Sequence, residues 1–188
     1  LFADDLERIE ENVMRAIESA LRKAQFRLEE RELTTEVEID DLPLLYADPE
    51  HVQQIIDNLV TNACTASITG TTIRITAQQE ETQIGRSHLH ISVSDTGGGI
   101  ASQDQVRVFE RFYRADNALI AGLGETGVGL SIVKALVEAH RGHVWIESQM
   151  GEGTTFHVTL PFGLERGSGV NNTIVTERQS AGGNGHGG

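Results

Sequence analysis

With 188 residues and 38% apolar content, the chain is long enough for one ordinary domain with some unpacked ends. A formal charge of −13 excludes the cationic face that would hold DNA, RNA or an anionic membrane by counter-ion release. The single cysteine, Cys64, excludes an internal disulfide and fits a reducing compartment, and no apolar run is long enough to cross a bilayer. No secretory leader is seen, and Leu1 rather than Met opens the sequence, as in a piece of a longer chain.

Residues 4–30 predict a helix, with Leu6, Ile9, Val13, Ile17, Leu21 and Ala24 at helical spacing. TTEVEI (34–39) alternates like a strand, and LPLLYADPE reads as a turn. Asp48, Pro49 and Glu50 form a helix start, and the helix they open runs to about Ser67. It buries Val52, Ile55, Ile56, Leu59 and Ala63, with Cys64 as a small core residue. TTIRITAQ (71–78) and HLHISVSD (88–95) predict a hairpin around a polar loop. Residues 102–126 hold two short apolar pieces and a glycine-spaced loop. GVGLSIVKALVEAH (127–140) predicts a buried helix, and HVWIES with TTFHVTLP a second strand pair about the turn QMGEG. Beyond Pro161 the pattern ends in glycine-rich low complexity.

This order predicts an α+β fold, a two-layer sandwich whose mixed, mostly antiparallel sheet is covered by helices on one face. Its divisions are a helix over 1–30, a body over 31–162 and a tail or linker over 163–188.

Three stretches carry chemistry. In HVQQIIDNLVTNACTAS, Asn58 and Asn62 stand four residues apart, hence on one helix face, although asparagine is a poor helix former. DTGGGI (95–100) sets a carboxylate at the end of a strand against glycines that let a ligand approach the backbone. Such a carboxylate can accept from an exocyclic amine, yet by itself the motif is equally a plain strand-to-turn connection. GLGETGVGLSIVK (122–134) runs glycines into a helix start, where free N–H groups and the helix dipole attract phosphate. It is neither a P-loop nor a dinucleotide fingerprint, and alone it reads as a surface loop.

In this order and at these intervals the stretches resemble the catalytic ATP-binding domain of two-component sensor histidine kinases, a Bergerat-type fold shared with type II topoisomerases and mismatch-repair MutL. QQIIDNLVTNA is similar to the N box, DTGGGI to the G1 box and VFERFYR to the F box. GVGLSIVKALVEAHRGHVWIES is similar to the G2 box with its helix and the next strand. GEGTTFHVTLP is similar to the closing strand, so the resemblance spans residues 1–162.

The resemblance implies ATP and Mg²⁺ as cofactors. Asn62 would coordinate Mg²⁺ bridging the phosphates. Asn58 lines the same wall where hydrolytic relatives carry a glutamate that activates water; an amide is no general base, which suits phosphoryl transfer. Asp95 would accept from the adenine amino group, with Gly97, Gly99 and Ile100 forming the turn beneath it. Tyr113 would border the nucleotide, and Arg114 would reach the γ-phosphate; with Asn58 it makes the catalytic pair. Thr126, Gly127, Val128, Gly129 and Leu130 would bring a helix N-terminus to the phosphates, and Thr154 would support Asp95 through water. Phe109 and Phe112 would pack the loop, Trp145 the core, and His140 and His143 would be structural.

Two features depart from the family pattern. Thr65 and Ala66 stand where a lysine and an aromatic are usual, and Glu125 where glycine is usual; both changes should weaken nucleotide binding or let the lid close differently. The acceptor motif, His-Glu-hydrophobic-Arg-x-Pro, does not occur, and His51 is in the wrong context. The implied partners are therefore a histidine-bearing dimerisation domain upstream, a response regulator, and a second copy in a full-length homodimer. Nucleic acid and direct membrane contact are not among them, and the compartment implied is the cytoplasm, whether or not the full-length protein is membrane-anchored. An anti-sigma-factor-type Ser/Thr kinase and a degenerate nucleotide-binding module are the alternatives.

Overall fold

The computed structural model describes residues 9–111, 113 and 128–163. A short strand, β1 (Ile9–Glu11), precedes the helix α1 (Val13–Glu30). The strands β2 (Thr34–Ile39) and β3 (Leu45–Ala47) lead to α2 (Pro49–Ala66), and β4 (Thr72–Glu81) and β5 (Ser87–Asp95) follow as a hairpin. A single helical turn, α3 (Ser102–Gln105), precedes α4 (Gly129–Ala139), and β6 (His143–Gln149) and β7 (Gly153–Pro161) close the fold. The main sheet has five strands in the order β2-β4-β5-β7-β6, parallel only between β2 and β4. This is the mixed, mostly antiparallel sheet predicted.

The chemistry of each start is local. Asp48 caps α2 by accepting from the N–H groups of Glu50 and His51, and Pro49 supplies a residue that needs no donor. Side chains of Ile17, Val52, Ile55, Ile56 and Leu59 are fully buried against Ile73, Ile75, Leu89, Ile91 and Val158 of the sheet. Burying each large aliphatic side chain stabilises by roughly 1.5–3 kcal/mol. Ala16, Ala20 and Ala24 line the buried stripe of α1, which lets α1 lie close along α2. On its other flank α2 meets α4. Cys64 is fully buried, and burial pushes its thiol pKa up.

The structure corrects three expectations. The helix begins at Val13 rather than near residue 4: Asn12 caps it by accepting from the Arg15 N–H, and residues 9–11 pair antiparallel with 45–47 instead. Leu45–Ala47 is thus a strand and not a turn, with Leu45 and Ala47 buried and Tyr46 out. Trp145 is not core. Alternation in β6 turns Val144, Ile146 and Ser148 inward, and Trp145 lies on the open face, where it stacks on His157 at 4.9 Å and 8°. Trp145→Ala should therefore cost about 1–2 kcal/mol in urea unfolding, below the roughly 3–5 kcal/mol of a core aromatic; a core-sized loss would contradict this placement.

Residues 1–8 and the tail from 164 lie outside the described residues, as do Phe112 and 114–127. No described helix is long and apolar enough to cross a membrane.

Candidate functional site

Strand alternation determines where Asp95 goes. On β5, His88, His90 and Ser94 share the open face, while Leu89, Ile91, Val93 and Asp95 share the core side. Asp95 thus ends an apolar column with a carboxylate that is 7% exposed. Its Oδ1 accepts the Gly97 N–H at 2.9 Å and the Thr154 N–H at 3.3 Å. No other donor among the described residues reaches its carboxylate. Burial raises its pKa from 3.8 to about 6 against the lowering effect of those two bonds. Thr154 supports Asp95 directly through its backbone N–H.

The helix α2 gathers the other elements. Asn58, Asn62 and Ala66 are four residues apart and form one stripe roughly 12 Å long at 1.5 Å per residue. At its C-terminal end Gly97 lies so close that a Cβ there would strike the Ala66 carbonyl oxygen. At the other end Gly129, the first residue of α4, lies where a Cβ would come 2.9 Å from Asn58 Oδ1. Asn58 Nδ2 is turned back onto the Gln54 carbonyl, which leaves its oxygen facing Gly129. Between these contacts sits Asn62, 3% exposed, whose Nδ2 is buried without a hydrogen-bond partner. An unpaired buried amide costs roughly 1–3 kcal/mol, so the fold tolerates strain at the centre of the stripe.

Gly97 and Gly99 are sterically required. Gly99 has φ +74°, and a Cβ would strike the Gln149 carbonyl oxygen. The Gly151 N–H donates to the Gly98 carbonyl at 2.8 Å, so the turn after β5 is fastened to the β6–β7 turn. Ile100 is buried, with its N–H on Ser148 Oγ and its carbonyl on Gln105 Nε2. At α4, Val128 stands at the N-cap with no side-chain cap, so no capping side chain among the described residues competes for the first N–H groups.

Not every residue named from the sequence faces this stripe. Leu130 is buried in the core cluster. Tyr113 donates its hydroxyl proton to Asp104 and carries the Arg107 guanidinium 4.4 Å over its ring. Phe109 packs edge-on against Phe156. Arg114, Glu125, Thr126 and Gly127 lie outside the described residues. Thr65 turns its hydroxyl to the Thr61 carbonyl, while Arg31 caps this end of α2 by donating to the Thr65 and Ser67 carbonyls. His140 is a structural link: its Nδ1 meets the Leu136 carbonyl and its Nε2 accepts the Asp48 N–H. His143 is exposed on the edge strand. Ser148 and Gln105 escape a reading of the sequence; the one available signal is Ser148 breaking the apolar inward alternation of Val144 and Ile146.

Residues 47–164 match the family described as histidine kinase-, DNA gyrase B-, and HSP90-like ATPase. The chain belongs to this family. Within it, the sensor histidine kinase WalK of Bacillus subtilis (strain 168) is 42% identical over 121 residues, covering 63% of this chain and 19% of the relative. The adaptive-response sensory kinase SasA of Synechococcus elongatus is 36% identical over 137 residues, covering 73% of this chain and 34% of the relative. The chain spans well under half the length of either. Among solved structures, the mycobacterial sensor histidine kinase MprB has a TM-score of 0.69 at 25% identity, over 83% of this chain and 97% of that one. Full-length ShkA in complex with AMPPNP has a TM-score of 0.71 at 26% identity, over 85% of this chain and 32% of that one. The domain is a histidine kinase-type ATPase domain, like that of the sensor kinases it resembles.

Proposed function

We propose that this ATPase domain binds Mg²⁺-ATP along the α2 stripe and transfers the γ-phosphoryl group to a histidine on a dimerisation domain, for relay to a response-regulator aspartate. The observation that carries the reading is the buried Asp95 carboxylate, with two N–H bonds on one oxygen and no described donor on the other. A carboxylate fixed in this way accepts an exocyclic amine and rejects a carbonyl at the same place, which selects adenine. From that point the stripe leads past Asn62 and Asn58 to the uncapped start of α4, where phosphate finds free N–H groups. The unpaired Asn62 amide has its donor buried and is free to present its oxygen, the kind of hard donor that fits Mg²⁺ beside phosphate oxygens. Bound there, the metal supplies charge neutralisation. Asn58 orients without abstracting a proton, since its amide is no base near neutral pH. Arg114 is assigned to charge stabilisation on the transferring phosphoryl group.

Response regulator and homodimeric parent belong to the same proposal, as the likeness to sensor histidine kinases implies. Radiolabelled ATP tests it. The chain alone should give no acid-labile label although it carries seven histidines, and a supplied dimerisation domain should become labelled on histidine. Label on Ser or Thr would move the reading to an anti-sigma-type kinase. ATP binding without any transfer would leave a nucleotide-binding module.

A further inference from the structure

Three neighbouring strands, β5, β7 and β6, end in a polar row on the core side of the sheet. Asp95 pairs in register with Thr154, and Thr154 pairs with Ser148. One step inward the same columns are apolar, Val93, Phe156 and Ile146. Ser148 is the centre of this row's hydrogen bonding. Its Oγ lies 2.7 Å from the Ile100 N–H, 3.0 Å from the Gly153 carbonyl and 2.7 Å from Thr154 Oγ1. A carbonyl only accepts, so the Ser148 proton goes to Gly153, and the hydroxyl accepts from both Ile100 and Thr154. One donor and two lone pairs are thereby all used. Gln105 completes the joint: its Nε2 donates to the Ile100 carbonyl at 2.8 Å and to the Ser148 carbonyl at 3.1 Å.

Each partner of Ser148 touches the Asp95 neighbourhood. Thr154 gives its N–H to Asp95 Oδ1. Gly153, at φ +127°, packs against the Asp95 carbonyl so closely that a Cβ would strike it. Ile100 ends the glycine turn whose Gly97 gives the other N–H to Oδ1. We infer that Ser148 is a positioning residue for nucleotide: it touches no substrate, but it holds both backbone donors on Asp95 and so fixes the oxygen offered to adenine, with Gln105 locking Ser148 to the turn. This inference rests on the reading of Asp95 as the adenine acceptor.

The balance on Asp95 supplies a readout that does not need nucleotide. Burial raises its pKa and the Gly97 and Thr154 N–H groups lower it, with no charged side chain among the described residues contributing. Loosening either donor must raise the midpoint further. Ser148→Ala, Ser148→Thr and Gln105→Leu are prepared in the full chain, and carboxyl NMR follows the Asp95 titration without ligand. Calorimetry follows Mg²⁺-ATP. Ser148→Ala should move the midpoint up by about one unit, the size expected for one hydrogen bond to a carboxylate, and weaken ATP about tenfold. Ser148→Thr, which keeps the hydroxyl, should restore both. Gln105→Leu should move both the same way by a smaller amount, and it decides the matter if Ser148→Ala does not fold. A folded Ser148→Ala or Gln105→Leu with the wild-type midpoint overturns the inference, even if thermal stability has fallen. If wild type bound no ATP while Ser148→Ala still moved the midpoint, the positioning role would stand and the adenine assignment would fail.

Discussion

Asp95→Asn is expected to weaken ATP binding strongly while making the nucleotide-free protein more stable at neutral pH. The two effects have one cause. The folded carboxylate has its pKa raised from 3.8 to about 6 by burial. A raised folded pKa means that the native state holds this proton more tightly than the unfolded chain. The group's contribution is therefore fully present below about pH 4, declines as pH rises, and is lost once pH passes about 6. Two units at 1.36 kcal/mol each put the cost of the ionised form at about 3 kcal/mol above that window. Asparagine keeps an oxygen for the Gly97 and Thr154 N–H groups and removes the charge. Unfolding in urea should show a gain on the order of 1–3 kcal/mol at pH 8 that shrinks towards zero at pH 4. Binding changes the other way. The exocyclic amine loses a charged acceptor and meets an amide donor, so ATP should weaken by at least about tenfold to a hundredfold. Calorimetry at pH 8 decides the second half: an affinity within threefold of wild type in the folded variant removes Asp95 from the site. Wild type itself should bind ATP progressively less well as pH falls below about 6, and the variant should not share that dependence.

Much of this was legible because the deciding interactions are local. Asp48 and Pro49 mark the start of α2 through groups one to three residues away, and alternation in TTEVEI matches β2 at both ends. What the sequence hid depends on distant partners. Leu45–Ala47 is too short to show a period, and it is a strand because residues 9–11 pair with it. The hydrophobic phase of α1 runs on through Ile9, yet the Asn12 cap and that pairing end the helix at Val13. The β4–β5 hairpin continues to Glu81 and Ser87, past the point where polar residues suggested a loop. Trp145 misled by composition, since its neighbours Val144 and Ile146 hold the inward phase. The candidate site divides the same way. Its glycines and amides announce themselves by clashing with local propensity. Ser148 and Gln105 do not, because their meaning comes from cross-strand register and a turn packed from elsewhere in the chain.

Asn62→Ala is the second substitution with a large expected effect, and again stability and binding should part. Truncating a buried side chain normally destabilises. Here the side chain removed carries an unpaired donor at 3% exposure, and deleting it also deletes a desolvation cost of roughly 1–3 kcal/mol. The terms oppose, so the variant should unfold within about 1 kcal/mol of wild type. Its nucleotide binding should divide by metal. If the amide oxygen holds Mg²⁺ against the phosphates, removing a ligand to a charged group lowers Mg²⁺-ATP affinity about tenfold to a hundredfold. ADP without Mg²⁺ makes no use of that oxygen and should bind within about threefold of wild type. The Asp95 carboxylate is held by Gly97 and Thr154 and shares neither partner with the Asn62 amide, so the two variants should be additive in the metal-free measurement. Titrating ATP and ADP with and without Mg²⁺ against wild type and variant separates the possibilities. An equal loss in both conditions would mean that Asn62 meets the nucleotide itself, and the metal assignment on α2 would have to be given up.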